Sequence, residues 1–153
     1  MILRHYESLP YTPAIALALE GWHELAQAGH CDPGGIFVAW DHHAIVAFDK
    51  LDHPLGVLTF TKQDWNRTCF VVIGWVLPAH RSRGVYRAMW DKLVVLAQEW
   101  KFARIEGTTA IENDKMRAVA KALGRKERGV YLWYDVPGGE DAPPKPSGLD
   151  PGP

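Results

Sequence analysis

Residues 75–87 read W-V-L-P-A-H-R-S-R-G-V-Y-R, and this stretch indicates the fold and the chemistry of the chain more clearly than any other. It overlaps the end of an apolar run, Thr68–Val76, that is typical of a buried strand. A proline and a basic loop end the strand, and a glycine opens an amphipathic helix. Free N–H groups, the helix dipole and the loop's arginines would together attract an anion. The pattern predicts a phosphate-bearing cofactor, with a pyrophosphate at the turn.

Two motifs at this point resemble those of the GNAT family, the acetyl-CoA-dependent N-acetyltransferases. The family carries Q/R-x-x-G-x-G/A between its fourth strand and third helix, with V-x-P shortly before it. Here the lead-in is Val76-Leu77-Pro78 and the motif is Arg81-Ser82-Arg83-Gly84-Val85-Tyr86. Tyr86 stands where the family usually has Gly or Ala. Two such motifs at family spacing are far more specific than one glycine motif alone.

The second motif begins at Asn113 and ends at Leu123-Gly124. It is similar to the family's N-x-x-A/M helix ending in L-G-F, although Arg125 replaces the phenylalanine. The resemblance is good over residues 68–136 and loose before them. It implies an α/β (α+β) GNAT-like fold, in which a mixed central sheet of about six or seven strands is flanked by helices. It also implies a V-shaped splay between the fourth and fifth strands.

Hydrophobic periodicity and turn signals predict the order of the elements. The predicted strands are 1–6, 36–40, 44–48, 55–61, 68–76, 104–109 and 130–136. The predicted helices are 12–28, 85–100 and 113–123. For the first helix, Thr12 is the expected capping hydroxyl, followed by Pro13 in the first turn, and Gly29 is the expected stop.

Composition predicts one domain, residues 1–136, because 47% of the chain is hydrophobic and its length allows one substantial core. Residues 137–153 are rich in Pro and Gly and are expected to form a disordered tail. The net charge of −1 argues against a nucleic-acid binder, and no apolar run is long enough for a membrane span. Two cysteines without disulfide or zinc spacing favour a reducing, cytoplasmic setting, with Cys69 in the core.

The predicted cofactor site combines the turn with the strand before it. Backbone N–H groups over residues 82–87 are expected to hold the pyrophosphate, with Gly84 allowing close approach. The resemblance implies that backbone groups of Gly74, Trp75 and Val76 hold the pantetheine amides and polarise the thioester carbonyl. It also implies that Asn113 contacts the cofactor, although an Asn there can equally cap the helix. The predicted cofactor-binding residues are Gly74, Trp75, Val76, Arg81, Ser82, Arg83, Gly84, Val85, Tyr86, Arg87 and Asn113.

Catalytic groups are harder to assign, because acetyl transfer to an amine needs a base and often an acid. The positions at which family members carry these groups hold Phe70, Thr108 and Ala120. Glu106 is the best remaining candidate base, and tyrosines of strand 130–136 are candidate acids. Adjacent His42 and His43 would face opposite sides of a strand, so no metal site is predicted.

The sequence thus predicts an N-acetyltransferase that moves an acetyl group from acetyl-CoA directly to a primary amine in a ternary complex. The acceptor stays open between a protein or peptide amine and a small molecule. The alternative is a GNAT-fold module that binds CoA but has lost efficient catalysis and acts as a sensor or interaction domain. The family also allows a homodimer, which nothing in the sequence tests.

Overall fold

The computed structural model describes residues 1–9, 12–31 and 41–129. These residues form a mixed sheet of five strands in the order β1-β2-β3-β4-β5. The strands are β1 (Ile2–Tyr6), β2 (His42–Phe48), β3 (Pro54–Gln63), β4 (Thr68–Val76) and β5 (Arg104–Gly107). Pairing is antiparallel from β1 to β4 and parallel between β4 and β5. The mixed α+β architecture predicted from the sequence is confirmed.

Three helices accompany the sheet: α1 (Ala14–Gln27), α2 (Val85–Glu99) and α3 (Asp114–Ala122). Apolar side chains of α1 pack on one face of the sheet with Val46, Ile73 and Trp75. The apolar stripe of α2 packs on the other face and includes Met89 and Leu93, which are fully buried. Because β4 and β5 are parallel, the chain must cross over between them, and α2 makes that crossover.

A β-bulge interrupts β4 at Val72. Thr59 of β3 is opposite Ile73, whereas the next residue, Phe60, is opposite Val71. One extra residue on β4 therefore changes which side chains face each helix. Cys69 and Val71 lie in the core under α2, while Ile73 and Trp75 lie in the core under α1.

Several predictions about the elements need correction. Thr12 does not cap α1, because its hydroxyl donates to the carbonyl of Leu9 (2.9 Å) and Pro13 occupies the N-cap. The fifth strand ends at Gly107 rather than at residue 109. The described strands number five rather than six or seven. The predicted strands 36–40 and 130–136 and the predicted tail 137–153 lie outside the described residues.

The remaining element predictions are confirmed. Gly29 follows α1 with a left-handed φ of +73°, and Cys69 is fully buried. α2 begins at Val85 as predicted, and Asn113 caps α3. None of the three described helices has the length and apolarity that crossing a membrane would require.

Candidate functional site

The gap between β4 and β5 is the first component of the candidate site. The two strands pair only over Thr68–Val71 and Arg104–Gly107, and β4 then continues without β5. This is the splay predicted between the fourth and fifth strands. Two conditions create it: the bulge at Val72 bends β4, and β5 ends at Gly107.

Backbone groups of Gly74 and Val76 point into this gap. The Leu77 N–H donates to the Leu55 carbonyl (3.0 Å), which makes these residues a hydrogen-bonded pair of the antiparallel ladder. Hydrogen-bonded and non-bonded pairs alternate along such a ladder, so Gly74 and Val76 turn their N–H and C=O groups away from β3. No described strand pairs with them on that side. The Gly74 N–H and C=O and the Val76 N–H therefore line the gap with polar backbone that a ligand amide could match, whereas the Val76 C=O accepts from Arg81 Nε.

The same alternation distinguishes Trp75 from its two neighbours. Its N–H and C=O face β3, opposite Val57, so they do not line the gap. The side chain of Trp75 instead lies under α1, where a Cβ on Gly21 would overlap the indole. Trp75 therefore helps to build the site by packing, which the predicted backbone contact did not anticipate.

The turn before α2 is held in a conformation that suits glycine. Gly84 is the N-cap of α2 with φ +76°, and a Cβ added there would meet no other atom within 4 Å. Ser82 also has a positive φ, +59°. Alternating left-handed residues turn successive N–H groups toward one side, which is a common way to bind an anion. The tight turn assigned to Gly84 is confirmed.

The N-terminus of α2 carries no side chain that satisfies its N–H groups. The first intrahelical bond runs from the Ala88 N–H to the Gly84 carbonyl (3.0 Å), so the N–H groups of residues 84–87 precede the helical ladder. No side chain caps this end, and its first turn contains no acidic residue. Arg87 lies in this turn, next to Asp91 (3.3 Å), and Arg83 is exposed. The end is therefore electropositive and open to an anion.

Glu24 of α1 clamps that helix to this turn, a role that no sequence pattern indicated. Its carboxylate accepts two hydrogen bonds from Arg81 Nη2 (2.6 and 2.7 Å) and one from Trp75 Nε1 (2.9 Å). Arg81 Nε also donates to the carbonyl of Val76 (2.9 Å). Hydrogen bonding from Arg81 is the main reason why the pKa of Glu24 lies below its usual value. The side chain of Arg81, predicted to bind the cofactor, is thus engaged within the protein.

Tyr86 points away from the turn and under the sheet. Its ring packs against Gly74 so closely that a Cβ at that position would overlap it. The missing side chain of Gly74 in the strand therefore makes room for the large ring of Tyr86 in the helix. The hydroxyl is buried, and its proton has no acceptor among the described residues, since the neighbouring Arg125 can only donate to it. Burial raises its pKa, and the adjacent Arg125 guanidinium opposes that effect.

Asn113 has a defined structural role. Its Oδ1 accepts from the N–H of Met116 (3.1 Å), so the residue is the side-chain cap of α3. The side chain is half-buried rather than fully enclosed. A contact with the cofactor is compatible with this arrangement and stays a prediction.

The candidate base Glu106 lies on β5 opposite Phe70, near the point where the strands part. Ile105 packs into the core under α2, so Glu106 faces the α1 side of the sheet. Its carboxylate is 3.3 Å from Arg104 and is 44% exposed. Thr108 lies beyond the end of β5 at Gly107, so it does not share a strand face with Glu106.

The histidines do not form a metal site in the described residues. His5 and His43 stack with their ring centres 5.3 Å apart, and the nitrogens Nε2 and Nδ1 lie 3.1 Å apart. No cluster of three or more His, Cys, Asp or Glu capable of holding a metal occurs in the described ranges. An apolar groove of about 270 Å³ runs between α2 and the start of β5, beside Ala103 and Ile105. It lies at the paired end of β5 and does not extend the gap.

Comparison with solved structures gives the same fold. A mutant of the BH1408 protein from Bacillus halodurans is similar with a TM-score of 0.68 and 13% identity, over 89% of this chain and 99% of that one. An aminoglycoside acetyltransferase, meta-AAC0020, from an uncultured soil metagenomic sample, has a TM-score of 0.68 and 11% identity, with coverages of 88% and 95%. The aminoglycoside N-acetyltransferase AAC(6')-Iy, solved in complex with CoA, has a TM-score of 0.60 and 20% identity, with coverages of 88% and 98%.

Sequence comparison assigns the family directly. Among curated proteins, none matches the chain significantly. The model of the acetyltransferase (GNAT) family matches residues 5–124, which is most of the chain and includes the gap, the turn and α3. The splay, the glycine turn and the capped α3 are at the positions that the sequence motifs predicted. The chain belongs to the acetyltransferase (GNAT) family.

Proposed function

We propose that this protein is an N-acetyltransferase that uses acetyl-CoA and transfers the acetyl group directly to a primary amine. The main observation in support is the conjunction of two open polar surfaces. Gly74 and Val76 direct backbone groups into the gap, and the N–H groups of residues 84–87 begin α2 without a cap. A ligand with amides in an extended arm and a pyrophosphate at one end satisfies both surfaces at once.

The protein's part in the reaction is mainly positioning and polarisation. When bound, acetyl-CoA supplies an acetyl group activated as a thioester. The uncapped turn would hold the pyrophosphate, since its N–H groups and the helix dipole both favour an anion. The N–H groups at positions 74 and 76 would pair with the pantetheine arm and polarise the thioester carbonyl, and such preorganised donors lower the barrier to acyl transfer.

Glu106 is the proposed base that takes a proton from the acceptor amine, acting through a water. It faces the α1 side of the sheet, from which the acceptor would approach. A carboxylate is a weak base for an ammonium group, so much of the rate would come from orientation. An amine that arrives unprotonated needs only that orientation and the polarised carbonyl.

Two classes of acceptor remain within the proposal, a small-molecule amine and an amine of a peptide or protein. Aminoglycosides belong to the first class and are acted on by acetyltransferases of the same fold. We expect the acceptor to approach from the side built by the N-terminal helix and residues 31–40, of which 32–40 lie outside the described ranges. The proposal therefore specifies the reaction and leaves the acceptor to experiment.

Titration calorimetry with acetyl-CoA and, separately, with CoA tests the cofactor part of this proposal. The complex is then incubated with a panel of amines that includes aminoglycosides, polyamines and short peptides, while thiol release is followed. We expect micromolar binding of both ligands and thiol release with at least one amine. Absence of binding to either ligand would contradict the proposal.

A second candidate function is supported by three positions at which this chain lacks an acid or base. Phe70, Thr108 and Ala120 occupy the places at which family members carry acid or base groups. A CoA-binding sensor or interaction module would need none of them. Binding without thiol release for any amine in the panel would favour that module over the enzyme.

A further inference from the structure

Tyr86 and Arg125 form a polar pair beneath the gap between β4 and β5. The tyrosine ring lies against Gly74 on β4. The arginine lies at the other side, where a Cβ on Gly107 would be 3.0 Å from Arg125 Nη2 and 3.1 Å from the Val71 carbonyl. Gly107 is the last residue of β5, so the pair spans the gap at the point where the strands separate.

Tyr86 and Arg125 both stand where the family motifs have residues that could not form a polar pair. The family motif has Gly or Ala where this chain has Tyr86, and phenylalanine where it has Arg125. The Arg125 guanidinium also lies over the Trp90 ring, 4.9 Å from its centre, which fixes its position from below. Glycines at 74 and 107 leave room for the pair, because a side chain on either would displace it.

The O–H group of Tyr86 has no structural role among the described residues. It is buried next to the Arg125 guanidinium, which can donate to it but not accept from it, so its own proton has no acceptor among the described residues. Leaving a buried donor without an acceptor costs free energy. The Tyr86 ring and Arg125 lie against Gly74 and Gly107, which border the gap, so a ligand atom in the gap could accept this hydrogen bond.

We propose that the Tyr86 hydroxyl donates a hydrogen bond to the sulfur that leaves in acetyl transfer, with Arg125 positioning the phenol. This inference rests on the proposed function. The amine nitrogen bonds to the acetyl carbon, the C–S bond breaks, and its electron pair goes to sulfur. The hydrogen bond stabilises the negative sulfur, and the proton that completes the thiol is the one that the amine loses on becoming an amide.

The proposal explains why the position in α3 that often carries a tyrosine in this family can be Ala120 here. The hydroxyl reaches the leaving group from α2 instead of from α3. A hydrogen bond suits the task better than full proton transfer, because a phenol is a weaker acid than a thiol and burial raises the pKa of Tyr86 further.

The test measures the pKa of the thiol of bound CoA, from the ultraviolet absorbance of the thiolate over a pH series. We expect the wild-type protein to lower this pKa below the ordinary thiol value of about 8.5. Tyr86→Phe should raise it by about one unit, since hydrogen bonds to charged groups are strong. Acetyl-CoA affinity should stay within about twofold, because the thioester sulfur carries no charge.

Two further variants complete the experiment. Tyr6→Phe, on β1 at the opposite edge of the sheet, should leave the thiol pKa unchanged. Arg125→Met should raise the pKa by less than Tyr86→Phe does, because it loosens the phenol without removing it. CoA binding with the same thiol pKa in wild type and Tyr86→Phe would overturn this inference and leave the proposed function standing. Failure of the wild-type protein to bind CoA would overturn both.

Discussion

The first half of β4, Thr68–Val71, is hydrogen-bonded to β3 and β5, whereas its second half, Ile73–Val76, is paired only with β3 among the described strands. We refer to these halves as the closed end and the open end. Around the closed end the core is filled by a cluster of aromatic rings. Around the open end the sheet carries a glycine, and polar backbone faces the gap.

The comparison teaches that stability and binding are divided along one strand. At the closed end, the rings of His43 and Phe60 stack with their centres 5.3 Å apart, and Trp100 packs edge-on against His43 (5.8 Å) and tilted against Phe60 (6.1 Å). At the open end, β4 keeps its ladder to β3 after the bulge but has no strand on its other side among the described residues, and the Glu24 clamp from α1 contacts it there. We therefore expect substitutions at the open end to affect ligand binding as well as folding, and those at the closed end to affect folding.

Gly84→Glu should have the largest effect. The new carboxylate lies among the N–H groups expected to hold the pyrophosphate, and the left-handed φ of +76° adds backbone strain. We expect CoA affinity to fall by more than about 100-fold, equivalent to about 2.7 kcal/mol, by titration calorimetry.

Gly124→Glu is the matched control for that change. Gly124 has φ +77° and open space around its Cα, but it lies at the end of α3 rather than in the turn. It therefore repeats the strain and the charge away from the site. Equal losses of CoA affinity in the two variants would contradict the assignment of the turn.

Gly74→Ala should have the next largest effect, because its methyl group would overlap the Tyr86 ring. Overpacking of this kind costs about 1–3 kcal/mol in the free energy of unfolding, measurable by urea denaturation. Adding Tyr86→Ala should recover part of that loss, as a double-mutant cycle would show. Gly129→Ala, where no atom is within 4 Å, provides a neutral comparison.

At the closed end we expect a dependence of stability on pH. Burial is the main cause that lowers the pKa of both His5 and His43 from 6.5. These histidines then bind protons more readily in the unfolded chain than in the folded one. Their contribution to the free energy of unfolding is therefore complete above about pH 6.5 and is lost as pH falls. Below that pH, His43→Phe should reduce the slope of the free energy of unfolding against pH. An unchanged slope would show that other groups govern the pH dependence.

Glu24→Gln should have the smallest effect on stability. The side chains of Glu24 and Arg81 are each 43% exposed, so their ion pair is partly screened by solvent. A coupling of about 0.5–1 kcal/mol is expected from a cycle with Arg81→Gln, decreasing at high salt. The coupling should also disappear as pH falls through the lowered pKa of Glu24. A much larger coupling would show that the clamp, rather than the ladder to β3, holds the open end.

Sequence patterns predicted the parts of the molecule that depend on local chemistry. Strand β4, the glycine turn and the stripe of α2 follow from apolar runs, a proline and helical periodicity, and each is present at the predicted residues. The splay followed only from resemblance to the family. Its physical causes, the extra residue at Val72 and the end of β5 at Gly107, leave no signal in a single sequence.

The missed parts are contacts between residues distant along the chain. Glu24 and Arg81 are 57 positions apart, and nothing in the helix pattern of α1 marks that carboxylate as a partner. Tyr86 and Arg125 were visible as departures from the family motifs, which was a usable signal. Their meeting under Gly74 and Gly107 depends on the packing of α2 against the sheet, which periodicity does not specify.

The bulge at Val72 also affects how this chain should be aligned with its relatives. Before it, odd-numbered residues of β4 face α2, and after it they face α1. The nearly uninterrupted apolar run T-C-F-V-V-I-G-W-V thus contains two alternating patterns in opposite phase. An alignment that overlooks the extra residue at Val72 would exchange Gly74 with Trp75. Evolution of this strand is therefore more sensitive to the loss or gain of one residue than to most exchanges of one apolar side chain for another.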